Sequence, residues 1–350
     1  MNDRPAVLVT GGAGYIGAHC CRALASAGYT PVVYDNFSTG HRSFVAGPVV
    51  EGDLRDRSTL ASAFARHRIA AVLHFAASSL VGESVVDPQK YYDNNLAGTL
   101  SLLDTMREVG CNRLVFSSTG AVYGNADSKA LPETYACDPI NPYGTSKWMI
   151  ERILSDYRKA YGLGAFCLRY FNASGADASA EIGELRENET HLIPRALMAL
   201  QGHVHDFAIF GDDYDTPDGT AIRDYIHVTD LAAAHVAALK LLMQNHAGGA
   251  FNLGTGSGFS VRQILAAIAA ETGREVSYTI KPRRSGDPAY LVADPAAARQ
   301  VLKFKPTHSD LPTIIRTAWA WHKKAHPLKT ERAEHGHPAG FREPALSSSR

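Results

Sequence analysis

Gly11, Gly14 and Gly17 stand three apart, directly behind the apolar run Ala6–Thr10 and at the head of a helical pattern over Gly14–Ala27. Each glycine has its own job: a tight turn, close approach of the backbone to a pyrophosphate, and close packing of helix on strand. The helix N-terminus behind them offers free N–H groups and about half a positive charge to phosphate. The second strand candidate, Pro31–Asp35, ends in Asp35, eighteen residues beyond Gly17. A carboxylate there can bond an adenosine ribose hydroxyl and would repel the extra phosphate of NADP. Asp53 follows the third strand candidate, Val49–Gly52, where a contact to the adenine edge is expected. Strand, glycines and acid together predict a dinucleotide site.

Further strand candidates are Ala71–Phe75, Arg113–Ser118 and Gly164–Phe171, separated by helix-length segments such as Arg57–His67 and Pro88–Val109. Strands without polar alternation, spaced by helices, belong to a parallel sheet covered on both faces. The expected class is therefore α/β: a doubly wound parallel Rossmann sheet with a smaller α/β substrate-binding domain. Residues 1–172 with about 225–254 are assigned to the first domain. Residues 173–224 with about 255–326 are assigned to the second, and 327–350 to a disordered tail. The segment 173–223, rich in Gly, Asp, Glu and Pro with one helical piece near His191–Gln201, reads as a site-bearing region. Phe251–Gly254 reads as a strand and Val261–Thr272 as a helix.

Composition narrows the partners. With 35 basic and 35 acidic residues the formal net charge is zero, so nothing points to nucleic acid. No stretch approaches a membrane span or a signal core. The five cysteines, Cys20, Cys21, Cys111, Cys137 and Cys167, are odd in number and show no C-x-x-C spacing, which favours a reducing cytoplasm over a disulfide framework or zinc site.

Asn141-Pro142-Tyr143-Gly144-Thr145-Ser146-Lys147 opens a helix, and Tyr143 and Lys147, four apart, share its face. Phe116-Ser117-Ser118-Thr119 ends a strand on the side where ligands of such sheets bind. A phenol of ordinary pKa near 10 is a poor base at neutral pH, so a neighbouring ammonium and a positive nicotinamide are expected to favour the phenolate. Tyr143 then takes a hydroxyl proton, and Thr119 bonds the reacting oxygen.

At this point the sequence resembles the UDP-glucose 4-epimerase family. The resemblance rests on Thr10–Gly17, His74-Phe75-Ala76-Ala77, Val81-Gly82-Glu83-Ser84, Tyr91-Tyr92-Asp93-Asn94-Asn95, Arg169-Tyr170-Phe171-Asn172 and Arg223-Asp224-Tyr225-Ile226-His227-Val228, and runs from about residue 6 to 322. It is closest to members serving bacterial exopolysaccharide synthesis. It implies tightly bound NAD, UDP-glucose and UDP-galactose as substrates, and a homodimer formed by helices around 88–109 and 143–161. It makes Tyr143 the base, Lys147 the residue that orients the nicotinamide ribose, and Thr119 the contact to the sugar. It puts Gly11, Gly14, Tyr15, Ile16, Gly17, Asp35, Asn36, Asp53, Leu54, Phe75, Ala76, Asn94 and Phe171 at the cofactor. It puts Asn172, His191, Leu192, Phe210, Arg223, Arg284 and Asp287 at the nucleotide sugar. Ser79 and His191 depart from members that carry lysine and asparagine there. His191 is left between pyrophosphate contact and helix start. Bulky residues at the gate near Tyr290–Leu291 imply exclusion of an acetamido group.

Other readings are weighed on the same residues. A nucleotide-sugar 4,6-dehydratase places Asp-Glu after the threonine, and Gly120-Ala121 stand there instead. A net oxidoreductase would exchange cofactor at each turnover. A non-catalytic NAD sensor would have lost Tyr143 or Lys147. His203 and His205 read as a surface turn, not metal ligands, and no metal is expected. Trp319, Trp321 and His322 read as helix packing, Asp224 as a structural partner of Arg223, and Cys137 as inert.

Overall fold

The structure is a computed structural model that describes residues 4–126, 130–284 and 287–328. In chain order its strands begin with β1 (Ala6–Thr10), β2 (Thr30–Asp35), β3 (Val49–Glu51), β4 (Ile69–His74), β5 (Arg113–Thr119) and β6 (Gly164–Tyr170). They continue with β7 (Asn172–Ser174), β8 (Ala208–Phe210), β9 (Ile222–His227), β10 (Gly248–Leu253), β11 (Gly258–Ser260), β12 (Thr279–Lys281) and β13 (Tyr290–Leu291). Seven form one parallel sheet in the order β10-β6-β5-β4-β1-β2-β3. The order reverses between β1 and β4, and the crevice at the carboxyl ends of those two strands is where such sheets bind ligands.

Alternation along the strands explains the fold class. Val7, Val9, Val33, Ala71, Leu73 and Val115 enter one core, and Leu8, Val32, Tyr34, Val72, Leu114 and Phe116 the opposite one. Successive side chains point to opposite faces, and here both faces are buried, so no polar alternation appears. The helices Tyr15–Ser26 and Val228–Met243 cover the first face, and Arg57–His67, Gly98–Glu108 and Pro142–Tyr161 the second.

The smaller strands build a second group. β9 pairs with β7, β11 and β13, and β8 pairs with β12, packed against the helices Leu192–Leu200, Val261–Thr272 and Leu311–Ala325. Trp321 is buried and Trp319 partly so on the last of these, in accord with the packing role. No helix among the described residues is long and apolar enough to cross a membrane. Of the expected tail, only Pro327 and Leu328 are among the described residues.

Two expectations change. Pro88–Val109 is a continuous helical stretch as far as Glu108, but it is not uniform: a π-helical turn at Tyr92–Ala97 lies between Pro88–Tyr91 and Gly98–Glu108. The side chain of Asn95 causes the interruption to matter. It is buried and bonds the loop at Ser78 (2.8 and 3.0 Å) and Ser146 (3.1 Å) of the Pro142–Tyr161 helix. Asp224 is also not the partner of Arg223, which pairs with Asp287. Its fully buried carboxylate accepts from Thr255 N (2.9 Å), Thr255 Oγ1 (2.8 Å), Gly256 N (3.1 Å) and Ala293 N (3.2 Å). Asp224 thus clamps the β10–β11 turn and the stretch after β13 onto β9.

Asp224→Asn turns an acceptor oxygen into an NH2 facing backbone donors. A loss of about 3 kcal/mol is expected, read as a lower urea midpoint with an unchanged m-value.

Candidate active site

The glycine loop is built for a ligand that must lie against backbone. Gly11 has φ +70°, and a Cβ there would stand 2.6 Å from Ala76 N, so the loops after β1 and β4 touch. A Cβ on Gly17 would lie 2.2 Å from Gly11 O, which only glycine avoids. Gly14 is the N-cap of the Tyr15–Ser26 helix, and no side chain caps it. Asp35, buried at the end of β2, is held rigid, accepting from Ala13 N at 3.0 Å and Phe37 N at 2.9 Å. Asn36 donates to Asp53 at 3.2 Å, and Arg55 pairs with the same carboxylate. Leu54 is buried beside them, and Ile16 packs onto the core behind the loop. Phe75 lies 4.8 Å from the ring of His235, and Asn94 reaches Ser78 at 3.2 Å. The Tyr15 hydroxyl donates to Gly175 O at 2.6 Å, tying the glycine loop to the segment after β7. A backbone cradle without side-chain caps and a fixed acid on the next strand fit a dinucleotide.

Thr119 ends β5 and caps the turn Gly120–Tyr123, its Oγ1 accepting from Ala121 N at 3.1 Å. The Thr119 side chain favours the ionised form of the Tyr143 phenol. The helix carrying Tyr143 starts where Asn141 caps it (Gly144 N to Oδ1, 2.9 Å) and Pro142 takes its first position. It lies tight on the threonine turn, since a Cβ at Gly144 would stand 2.7 Å from Ala121 O. One turn on, the buried Lys147 crosses the Phe116 ring at 4.7 Å and donates to Ser117 O at 2.8 Å. Phe171 stacks on Tyr123 and faces Gly120, below the threonine.

Electrostatics adds a residue to the picture. Burial raises the Tyr143 phenol, while the Thr119 side chain and the charge of Arg186 pull it down. Arg186 is a cation acting on the phenol that the sequence did not suggest. The Lys147 ammonium is turned to the end of β5, and burial drops it to about 7 against the pull of Glu151. Arg186 lay outside the sequence pattern because its segment has no periodicity. Cys137 is a free thiol pushed up by burial, in line with an inert role.

Beneath the pair lies a buried network that the sequence did not announce. Arg169 on β6 grips Glu151 with Nε (3.0 Å) and Nη2 (2.7 Å), Ser118 Oγ donates to Glu151 at 2.5 Å, and Arg169 Nη1 donates to Tyr123 Oη at 2.9 Å.

The expected substrate residues fall in two places. Arg223 pairs with Asp287, and the Arg284 guanidinium lies 4.1 Å over the Phe210 ring, so these four gather beside β8, β9 and β13. Asn172 bonds Asp224 O at 3.0 Å. His191 caps and Leu192 opens the helix Leu192–Leu200, where His191 lies against Glu184 at 2.6 Å. Tyr290–Leu291 form β13 beside β9. Glu184, Glu189 and His191 form one group of potential metal ligands, with atoms within 4.8 Å of one another; His203, bonded to Pro327 O at 2.9 Å, is outside it.

Comparison with known proteins places this geometry. The model of the NAD dependent epimerase/dehydratase family matches residues 7–254. A UDP-glucose 4-epimerase of Rhizobium leguminosarum bv. trifolii is 51% identical over 320 residues, covering 91% of this chain and 98% of that one. A UDP-glucose 4-epimerase from Brucella ovis, solved with NAD, is 53% identical with a TM-score of 0.88, over 90% of this chain and 97% of that chain. One from Bifidobacterium longum, solved with NAD+ and UDP, is 37% identical with a TM-score of 0.86, over 91% and 98%.

Arg169→Met leaves Glu151 as an uncompensated buried charge. A loss of about 3–5 kcal/mol is expected by chemical denaturation. Replacing Glu151 with Leu in the same chain should recover most of it.

Proposed function

The chain belongs to the NAD dependent epimerase/dehydratase family and, within it, to the UDP-glucose 4-epimerases, and we propose that it inverts the carbon-4 hydroxyl of a UDP-hexose by a redox-neutral route. The observation that supports the reading is the packing of the Tyr143 helix on the turn that follows β5, which sets Tyr143 at the head of its helix beside Thr119 at the carboxyl end of the strand. NAD, when bound, supplies a reversible hydride acceptor.

The chain's own residues do the rest. Tyr143 Oη takes the proton of the carbon-4 hydroxyl as the hydroxyl carbon is oxidised, and returns it after the 4-keto sugar has presented its other face. Thr119 Oγ1 aligns the reacting oxygen. Lys147, bonded to Ser117 O, stands where a nicotinamide ribose would be oriented. Arg223, Arg284, Phe210 and Asp287 hold the uridine diphosphate end, with guanidinium forks suited to phosphate. Gly120-Ala121 bring no carboxylate beside Thr119, which disfavours water loss across carbons 5 and 6.

Two finer points belong to the same reading. The protein is a homodimer through the helices Gly98–Glu108 and Pro142–Tyr161, which leave Leu100, Met149 and Tyr161 exposed. It works in the cytoplasm, in keeping with five free thiols.

The test is NMR of UDP-galactose incubated with the purified protein and no added cofactor. UDP-glucose should accumulate, and UDP-N-acetylglucosamine should turn over far more slowly because Tyr290 and Leu291 crowd the carbon-2 side. Absence of UDP-glucose would reject the reading.

Tyr143→Phe keeps the ring and its packing but removes the oxygen that takes the proton. The rate should fall about a hundredfold to ten-thousandfold, with bound NAD and the thermal midpoint retained. If the rate of this variant stays near wild type, another residue is the base.

A further inference from the structure

The helix Pro142–Tyr161 covers the sheet unevenly. On one flank Tyr157 Oη donates to Asp104 of the helix Gly98–Glu108 at 3.4 Å, and the two helices close on each other. On the other flank it faces β6 and the edge strand β10. Those strands turn small side chains toward it: Ala165, Cys167 and Ala250. Interiors are close-packed as a rule, but small residues under a helix leave room, here a half-open cavity of about 180 Å3. One water needs about 10–15 Å3 of such space, so the cavity has room for a small solute. Its strand residues belong to the first halves of β6 and β10, whereas Thr119, Tyr143 and the glycine loop stand at the carboxyl ends of strands. The cavity is therefore separate from the cleft.

Its lining is charged. The Glu151–Arg169 pair, each side chain 4% exposed, forms the buried end. Arg152, Ser155 and Arg158, three apart on the helix and more exposed, form the mouth. Trp148 is a wall, with the guanidinium carbon of Arg152 5.9 Å and that of Arg169 5.7 Å from the centre of its ring. The one carboxylate is already committed, since Glu151 accepts from Arg169 Nε, Arg169 Nη2 and Ser118 Oγ. Among the described residues neither Arg152 nor Arg158 pairs with a carboxylate. Arginines on other helices do: Arg22, Arg57 and Arg195 each meet one within 3.1 Å. Three arginines against one glutamate leave a surplus of two positive charges around the cavity. That surplus turns away cations and matches a phosphate monoester near neutral pH, whose charge is about −1.5 to −2. Guanidinium forks with a hydroxyl between them suit its oxygens.

We propose that this cavity is a second ligand site, behind the Tyr143 helix and outside the cleft, that takes a phosphate group, free or on a small ester, between Arg152 and Arg158. The inference stands apart from the epimerase reading, because neither arginine belongs to the group that reading uses.

The experiment is calorimetric titration of the purified holoenzyme with inorganic phosphate and, separately, with glycerol 1-phosphate. Chloride holds the ionic strength constant, and UDP is present throughout to occupy phosphate-binding groups in the cleft. The wild type should show one saturable site per chain, and the tighter of the two probes tells the free from the esterified form. Arg152→Gln and Arg158→Gln should each weaken binding about tenfold or more, the scale of one charge-assisted hydrogen bond. Ser155→Phe blocks the mouth but keeps both arginines, so it should abolish binding while the thermal midpoint stays near that of the wild type. No saturable heat with either probe up to about 10 mM would overturn the proposal. So would affinity within twofold of wild type in both arginine variants, which would place the anion elsewhere. Binding that survives Ser155→Phe would likewise reject the cavity and leave only surface arginines. A wild type without epimerase activity would refute the epimerase reading and leave this result standing.

Discussion

The buried ion pair between Glu151 and Arg169 joins the elements that carry the reacting groups. Glu151 stands one turn beyond Lys147 and two beyond Tyr143, on the same helix face. Arg169 belongs to β6, the neighbour of β5. Ser118, the residue before Thr119, donates to the same carboxylate, and Tyr123, at the end of the threonine turn, accepts from the guanidinium and donates to Asn252 on β10 at 2.7 Å. Taking two charges out of water costs several kcal/mol each, and only full hydrogen bonding returns that cost. Burial opposes the Arg169 charge, and the Glu151 bonds more than reverse it. A polar network under such strict terms tolerates one arrangement. It fixes the height and rotation of the Tyr143 helix against the end of β5, and the Thr119–Tyr143 contact follows from that.

The same burial sets how charge is distributed around the phenol. Lys147 lies deep enough that its ammonium is easily lost, and it is spent on Ser117 O. Arg186 keeps its charge because Glu184 lies against it, although burial opposes. A guanidinium does not give up its proton in this environment, so Arg186 is a permanent cation acting on the phenol, whereas the Lys147 ammonium is titratable. On the epimerase reading the phenol must lose and regain its proton in each turnover. The charge of Arg186 favours the phenolate, so it helps the loss of the proton and opposes its return.

What the sequence made legible was what depends on short-range pattern. β1, β2 and β5 were readable to within a residue or so because two buried faces leave an unbroken apolar run, and Val261–Thr272 was also readable, its start fixed in the structure by a capping box of Ser260 and Gln263. The Tyr143 helix was readable from Asn141 and Pro142. What was not legible is contact across the chain. Glu184 meets Trp321, 137 residues on, and Arg169 meets Asn252 through Tyr123. Arg223 invited pairing with adjacent Asp224, but neighbours in a strand point to opposite faces, so Asp287 became its partner and Asp224 turned inward. The π turn inside 88–109 was hidden for a similar reason. The buried partners of Asn95, Ser78 and Ser146, lie outside the segment.

The distribution of polar anchors bears on how one pocket can act on both faces of a sugar. Around β8, β9 and β13, arginines are clamped by carboxylates and by the Phe210 ring, so a nucleotide end would meet side chains already ordered before binding. Little side-chain entropy is then lost on contact, which favours firm binding there. Near Tyr143, among the described residues, Thr119 Oγ1 accepts from Ala121 N at 3.1 Å and Ser117 Oγ is taken by Tyr170 at 2.5 Å. A keto sugar held by few partners pays little to rotate about its link to a diphosphate that is held by many. Rotation with the nucleotide anchored is the step that inversion needs and simple oxidation does not, and on the epimerase reading ordered anchors at the nucleotide end would favour it.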